Sequence, residues 1–205
     1  MSYSYEEQKE TLRLIHKILK DNNFLKKMNL AFGTLLGAVR QGKLNTSIND
    51  WDDLDFCVTK ENFEELKDKI IPLLLENGFE IKYVWYTSFD KIGEITLYRG
   101  KDRLDINQVF PYNKNGQDFY IHCHWYGNLQ LSKGLRASYY TDIKKIMLED
   151  LEFYGPAETE EHMIDCYGDS WKVPCKTDDE YKYWLDEPGV PWWDRTPYLK
   201  MTDKL

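Results

Sequence analysis

The chain of 205 residues is long enough for one domain with a sizeable core and short for two independent ones. Its 35 acidic against 27 basic residues leave a formal charge of -8, which disfavours non-specific binding to nucleic acid or to an anionic lipid surface. No stretch approaches the roughly 20 apolar residues of a membrane span, the start MSYSYEEQKE lacks the basic and apolar regions of a signal peptide, and the cysteines show no CxxC spacing; the expectation is a cytoplasmic protein with reduced thiols.

From Tyr5 to Asn22 the positions Leu12, Ile15 and Leu19, flanked by Leu14 and Ile18, repeat at the spacing of an amphipathic helix. A short run around Leu30 to Phe32 leads to a glycine turn at Gly33 and Thr34, after which LLGAVR starts a second helix. The stretch 42–49 is polar and turn-rich, hence a loop. Residues 53–58 alternate, placing Asp53, Asp55 and Cys57 on one strand face and Leu54, Phe56 and Val58 on the other. A helix over 61–77 carries Phe63, Leu66, Ile70 and Leu74, is kinked or split at Pro72, and ends at Gly78. Three strands over 79–86, 94–99 and 103–110 should pair into one sheet. No element is assigned over 113–131; 142–151 reads as a short connecting segment, 158–167 as a helix, and 173–205 as a Pro/Trp-rich tail. The fold class is α/β or α+β, with one domain over 1–205 and the tail from about 175.

The chemistry concentrates in the acidic knot. Asp50, Asp52, Asp53 and Asp55 lie close together, and like charges about 4 Å apart repel by about 4 kcal/mol at an effective dielectric of 20. Asp53 and Asp55, at i and i+2 on a strand, point to one side with Cα atoms about 7 Å apart, so their oxygens can converge on one or two hard cations. Asp105, on the opposite face from Leu104 and Ile106, supplies a third carboxylate from a neighbouring strand. Such a triad suits magnesium or manganese and phosphoryl or nucleotidyl transfer. Gly33 and Thr34, ahead of a helix, offer backbone N–H groups to a phosphate, with Arg40 and Lys43 adding charge. A lone DxD pair or a Gly-Thr turn is commonplace by itself; the ordered layout is the signal.

These segments carry a resemblance. GTLLGAVR followed by WDDLDF, then RLDINQVF and YGDSWKVP, together spanning about Leu30 to Pro174, resemble the LicD / fukutin-related family of nucleotidyltransferase-like phosphotransferases. The resemblance implies a nucleotidyltransferase-like mixed sheet flanked by helices. It also implies transfer of a phosphocholine or polyol phosphate group from a CDP-linked donor to a glycan hydroxyl. It aligns Asp53 and Asp55 with the metal-binding pair, puts Asp52 behind them, and matches RLDINQVF to the strand of the family's third acidic residue. The expectation for the residues is that Asp105 binds metal and acts as the base, while Gly33, Thr34 and Arg40 hold donor phosphates. The link QGKLNTSINDWDDLD is longer than the family's usual one and carries one Asp fewer in the acidic run, which leaves acceptor preference open. Two alternatives stand beside this: a nucleotidyltransferase acting on a small molecule, and a non-catalytic binding protein that keeps the acidic cleft.

Elsewhere the bland readings prevail. His122, His124, His162, Cys166 and Cys175 fit no ordinary zinc-module spacing, although His162 and Cys166 share a helical face. Cys57 reads as a packed small residue, and Asp169 with Trp171 as a structural turn anchored by an indole. Trp184, Trp192 and Trp193 read as packing, and Lys144 and Lys145 as a solvated face.

Overall fold

The computed structural model describes residues 5–44, 53–87, 91–126, 129–174, 193–197 and 201–202; over 124–133 and from 193 onward only the backbone is described. Helix α1 (Tyr5–Asp21) buries Leu12, Ile15, Ile18 and Leu19, the face its spacing predicts, and opens on acidic Glu6 and Glu7, which suit its N-terminus. Strand β1 (Met28–Leu30) turns through Ala31 into α2 (Phe32–Gln41), which stops at left-handed Gly42. Strand β2 (Leu54–Thr59) feeds a helical rod made of α3 (Lys60–Glu65), a five-residue π segment (Leu66–Ile70) and α4 (Ile71–Glu76). The split expected at Pro72 takes this form: Pro72 is the second residue of α4, and the wider π turn, in which Ile71 N donates to Leu66 O, precedes it.

Next come β3 (Glu80–Tyr86), β4 (Ile92–Arg99), β5 (Asp102–Lys114), β6 (Gln117–Tyr126) and β7 (Leu129–Arg136). They are followed by α5 (Ser138–Thr141), β8 (Ile143–Leu148), β9 (Leu151–Pro156), α6 (Thr159–Tyr167), β10 (Trp193–Pro197) and β11 (Met201–Thr202). The fold is mixed α/β. One nine-stranded sheet runs β10-β7-β6-β5-β4-β3-β11, with β2 alongside β5 and β1 alongside β2, and β8 with β9 forms a small second sheet. The β2–β5 pair is parallel, with Asp55 opposite Asp105, while β4–β5 is antiparallel, with Thr96 opposite Asp105 and Glu94 opposite Asn107. The first half of the long β5 therefore lies between β4 and β2, and its second half, from Phe110, pairs with β6.

One face of this central sheet is apolar. Met28, Leu30, Leu54, Phe56, Val58, Ile95, Leu97, Leu104 and Ile106 are all buried in one core with α1, the inner side of α2, the α3–α4 rod and Phe153. Burying a large aliphatic or Phe side chain contributes about 1.5–3 kcal/mol, so this face fixes register: a one-residue slip would turn every one of these side chains over. The alternate positions consequently face the other way, and they are polar.

Two segments differ from the sequence-based expectation. The unassigned stretch 113–131 holds the end of β5, all of β6 and the start of β7. Asn115 and Gly116, both at positive φ, turn β5 into β6, the conformation a two-residue primed hairpin turn requires. The connecting segment expected at 142–151 is the β8–β9 hairpin, whose turn contains Glu149 at φ 56 instead of a glycine. That backbone is held by tertiary contacts: the Glu149 carboxylate accepts from Leu44 N at 3.0 Å and from the Tyr5 hydroxyl, and pairs with Lys9 Nζ at 3.4 Å. Among the described residues no helix is long and apolar enough to cross a membrane.

Candidate functional site

The sheet's polar face brings together residues from four strands. β2 and the position before it supply Asp53, Asp55 and Cys57; β5 supplies Arg103, Asp105 and Asn107; β4 supplies Glu94 and Thr96; β1 supplies Asn29 opposite Cys57. Parallel pairing sets Asp55 level with Asp105, so carboxylates 50 residues apart in the chain become lateral neighbours. Three of the expected site residues, Asp53, Asp55 and Asp105, are thereby in one place, and Glu94 joins them from β4.

Arg103 sits within this cluster. Its Nη2 and Nε lie 2.8 and 3.1 Å from the two Asp105 oxygens, its Nη1 lies 3.1 Å from Asp53 Oδ2, and Nη2 is 3.9 Å from Glu94 Oε1. Glu94 also accepts from the Thr96 hydroxyl at 3.0 Å. The fork on Asp105 is the strong bidentate kind of ion pair. One guanidinium still faces four carboxylates. Burial, and then the charges of Asp105, Asp53 and Glu94, push the Asp55 carboxyl well above the usual carboxylate range, against the pull of Arg103. Glu94 is raised in the same way, by burial and by Asp105. Asp105 is raised by burial, opposed by the Arg103 charge. Among the described residues none gives the Asp55 carboxylate a hydrogen bond or an ion pair.

Gly33 and Thr34 lie inside the first turn of α2 and not in a turn ahead of it. The β1–α2 connection is one residue long, and Phe32, the first helical residue, has φ 40, a left-handed value costing an aromatic residue about 1–3 kcal/mol. Tertiary contacts hold it: the Phe32 ring packs edge-on against His122, with centroids 5.1 Å apart, and Ala31 N donates to Asp55 O at 3.0 Å. The sharp turn brings Gly33 against the acidic face, where a Cβ on Gly33 would meet Asp55 Oδ2 at 3.4 Å. Thr34 is buried; its hydroxyl donates to Asp53 O at 3.1 Å and accepts from Asp55 N at 2.7 Å, tying α2 to the start of β2. Arg40 is elsewhere: seven residues beyond Gly33, about 10 Å along the helix, it donates through Nε to Trp171 O at 3.1 Å. It anchors the turn whose Trp171 is buried as expected. Lys43 is exposed, and Asp50, Asp52, Cys175, Trp184 and Trp192 lie outside the described residues.

Beside the acidic face, the row Asn107–Cys57–Asn29 leads to a second polar region. A cavity of about 10 Å³, room for about one water, is lined by Asn29, Phe32, Cys57, His122, His162 and Cys166 among others. His162 Nε2 is 3.6 Å from Cys166 Sγ, and His122 Nε2 bonds the Tyr140 hydroxyl. Burial pushes the Cys57 thiol up to about 12, the state of an inert packed thiol. Among the described residues, which include neither the His124 side chain nor Cys175, no three His, Cys, Asp or Glu side chains are disposed around one point as metal ligands. At the acidic face Arg103 stands between the carboxylates. The donor set itself, four carboxylates and the Asn107 amide oxygen on one face, has the all-oxygen chemistry of a site for a hard cation.

Arg103 and Glu94 escaped the reading of the sequence, though the signal was present. Arg103 precedes Asp105 by two residues and shares its strand face, and Glu94 is the one acid in the run EITLYR. No protein-family model matches the chain, and no curated protein matches it either.

Proposed function

We propose that the chain is a metal-dependent transferase that moves a substituted phosphate group, of the phosphocholine or polyol phosphate type, from a CDP-linked donor to a glycan hydroxyl. The observation that carries the metal-assisted phosphate chemistry is the clustering of Asp53, Asp55, Glu94 and Asp105 on one sheet face, beside the first turn of α2. The donor and acceptor classes rest on the motif resemblance. A cation held by Asp53, Asp55 and Asp105 would supply charge neutralisation at phosphorus. Asp105, whose carboxyl is raised, takes the proton of the attacking hydroxyl; the acceptor oxygen bonds to phosphorus as the bond to the CMP oxygen breaks. The N–H groups of Gly33 and Thr34, in the α2 first turn where no intrahelical acceptor precedes them, receive donor phosphate oxygens.

The test is a calorimetric titration of CDP-choline, CDP-ribitol, CDP-glycerol and ATP into native and Asp53→Asn/Asp55→Asn protein, with and without magnesium. Magnesium-dependent binding of one CDP-linked compound, lost in the variant, is expected. Binding of ATP alone would move the assignment to nucleotidyl transfer on a small molecule, and metal binding without any product would leave a non-catalytic cleft. Asp105→Asn protein should remain folded and lose transfer by about 10² or more; full activity there would remove Asp105 from the role of base.

A further inference from the structure

We propose that Arg103 is a resident counter-cation: a divalent cation displaces it from Asp53, Glu94 and Asp105, and the released guanidinium then holds the anionic phosphate of the donor. The inference rests on the metal-dependent reading above and assigns a residue which that reading does not use. Three observations carry it. First, among the described residues every charged contact of Arg103 falls on the cluster: Asp105 through both oxygens, Asp53 at 3.1 Å and Glu94 at 3.9 Å, so cation and guanidinium compete for the same oxygens. Second, the guanidinium does not complete the site. Asn107, on the same β5 face and opposite Glu94, is 2 % exposed, and its Oδ1 is buried without a hydrogen-bond partner among the described residues. The Asp55 carboxylate also receives no hydrogen bond or ion pair among the described residues. An amide oxygen and a carboxylate left without partners on the face that Arg103 shares are the kind of ligand a hard cation takes. Third, the Arg103 side chain is 35 % exposed while Asp105 beneath it is 8 % exposed, so Arg103 can leave without opening the core. Arg is suited to the second half of the role, because its planar fork matches phosphate oxygens as it does carboxylate.

The experiment measures manganese binding by calorimetry, and by the paramagnetic resonance of free Mn²⁺, for native, Arg103→Met and Arg103→Lys protein, with thermal melts in metal-free buffer. Removing the competitor should tighten Mn²⁺ binding at least tenfold in Arg103→Met, lower the melting temperature without metal, and let Mn²⁺ recover it; Arg103→Lys should fall between. Should Arg103→Met fail to fold without metal, refolding on addition of Mn²⁺ supports the inference. If it does not refold, Arg103→Lys decides: tighter Mn²⁺ binding supports, equal or weaker binding overturns. A folded Arg103→Met that binds Mn²⁺ no better than native overturns the displacement, and Mn²⁺ binding by none of the three overturns it too. In that last case, native protein that still binds a CDP-linked donor leaves the transfer reading standing alone. With Mn²⁺ saturating, Arg103→Met should bind the CDP-linked donor at least tenfold more weakly; equal donor affinity overturns the phosphate half.

Discussion

Replacing Gly33 by alanine separates the structural from the functional demand on the start of α2. Gly33 is not in the left-handed region, and an added Cβ finds as its nearest heavy atom Asp55 Oδ2 at 3.4 Å, an ordinary van der Waals distance. No backbone has to move. Alanine gains up to about 1 kcal/mol over glycine in a helix interior, less in a first turn, and about 0.4–1 kcal/mol through a less flexible unfolded chain. Against this stands the desolvation of a carboxylate that burial and like charge already push towards protonation. The net change should stay within about 1 kcal/mol, which moves the melting temperature of a chain this size by no more than about 2–4 °C. Binding is a different matter. The methyl covers the approach to Asp55 Oδ2 and to the first-turn amides, so affinity for Mn²⁺ and a CDP-linked donor should fall tenfold or more, about 1.4 kcal/mol. Urea melts and calorimetric titrations of the same preparation read both quantities. A loss of more than about 2 kcal/mol in stability would show that the glycine is there for the helix. Native affinities in a stable variant would show that ligands do not enter beside Gly33.

The other predictions concern how Asp55 is held. Because its folded-state carboxyl lies above the ordinary range, Asp55 binds the extra proton when folded; its contribution to stability is fullest below about pH 4 and is lost as pH rises through the folded value. Asp55→Asn should therefore be more stable than native by at least about 1 kcal/mol at pH 7 in metal-free buffer, with the advantage vanishing towards pH 4. Urea melts at both pH values check this, and an advantage independent of pH would refute the assigned cause. Thr34→Val keeps the shape but removes both bonds of the hydroxyl, leaving Asp55 N–H without its acceptor, and should cost about 1–3 kcal/mol in urea melts. Thr34→Ser should recover most of that loss, and a neutral Thr34→Val would show that the α2–β2 tie carries little.

Local pattern made much of this fold legible. The alternation of 53–58 correctly divides carboxylates from core, and Asp105 between two apolar neighbours is correctly assigned to the carboxylate face, because period 2 is dictated by strand geometry alone. The β5–β6 hairpin was legible too: Asn115-Gly116 is a strong hairpin signal, and the aromatic density of the flanking segment obscured it. The β8–β9 turn was not. A glutamate at positive φ is tolerated there because Leu44, Tyr5 and Lys9, all more than 100 residues upstream, hold its carboxylate. Sequence spacing reaches the candidate site only as a list of acids. Which acids are neighbours depends on β2 and β5 being parallel and on β4 lying along the other edge of β5, and that register is decided by the apolar face. Arg40 illustrates the converse: its charge made it a phosphate ligand on paper, while the length of α2 carries it away to the Trp171 carbonyl.

The two faces of the central sheet work against each other, and that opposition explains where the chemistry sits. The residues that alternate with Asp55, Arg103, Asp105 and Glu94 are Leu54, Phe56, Leu104, Ile106 and Ile95, none of them exposed by more than a trace. Their burial locks the register, and with the register locked the acids cannot move apart. Repulsion among fixed carboxylates is reduced in only three ways: by a proton, by a resident cation, or by an arriving one. The raised Asp55 and Glu94 carboxyls are the first of these and Arg103 the second. A sheet that needed only stability would have replaced such a face with neutral side chains, because removing like charges is easier than holding them. Retaining four carboxylates around one guanidinium leaves the face favouring any partner that brings more positive charge. That preference, set by the apolar residues on the other side of the sheet, is what the manganese titrations of the Arg103 variants would measure.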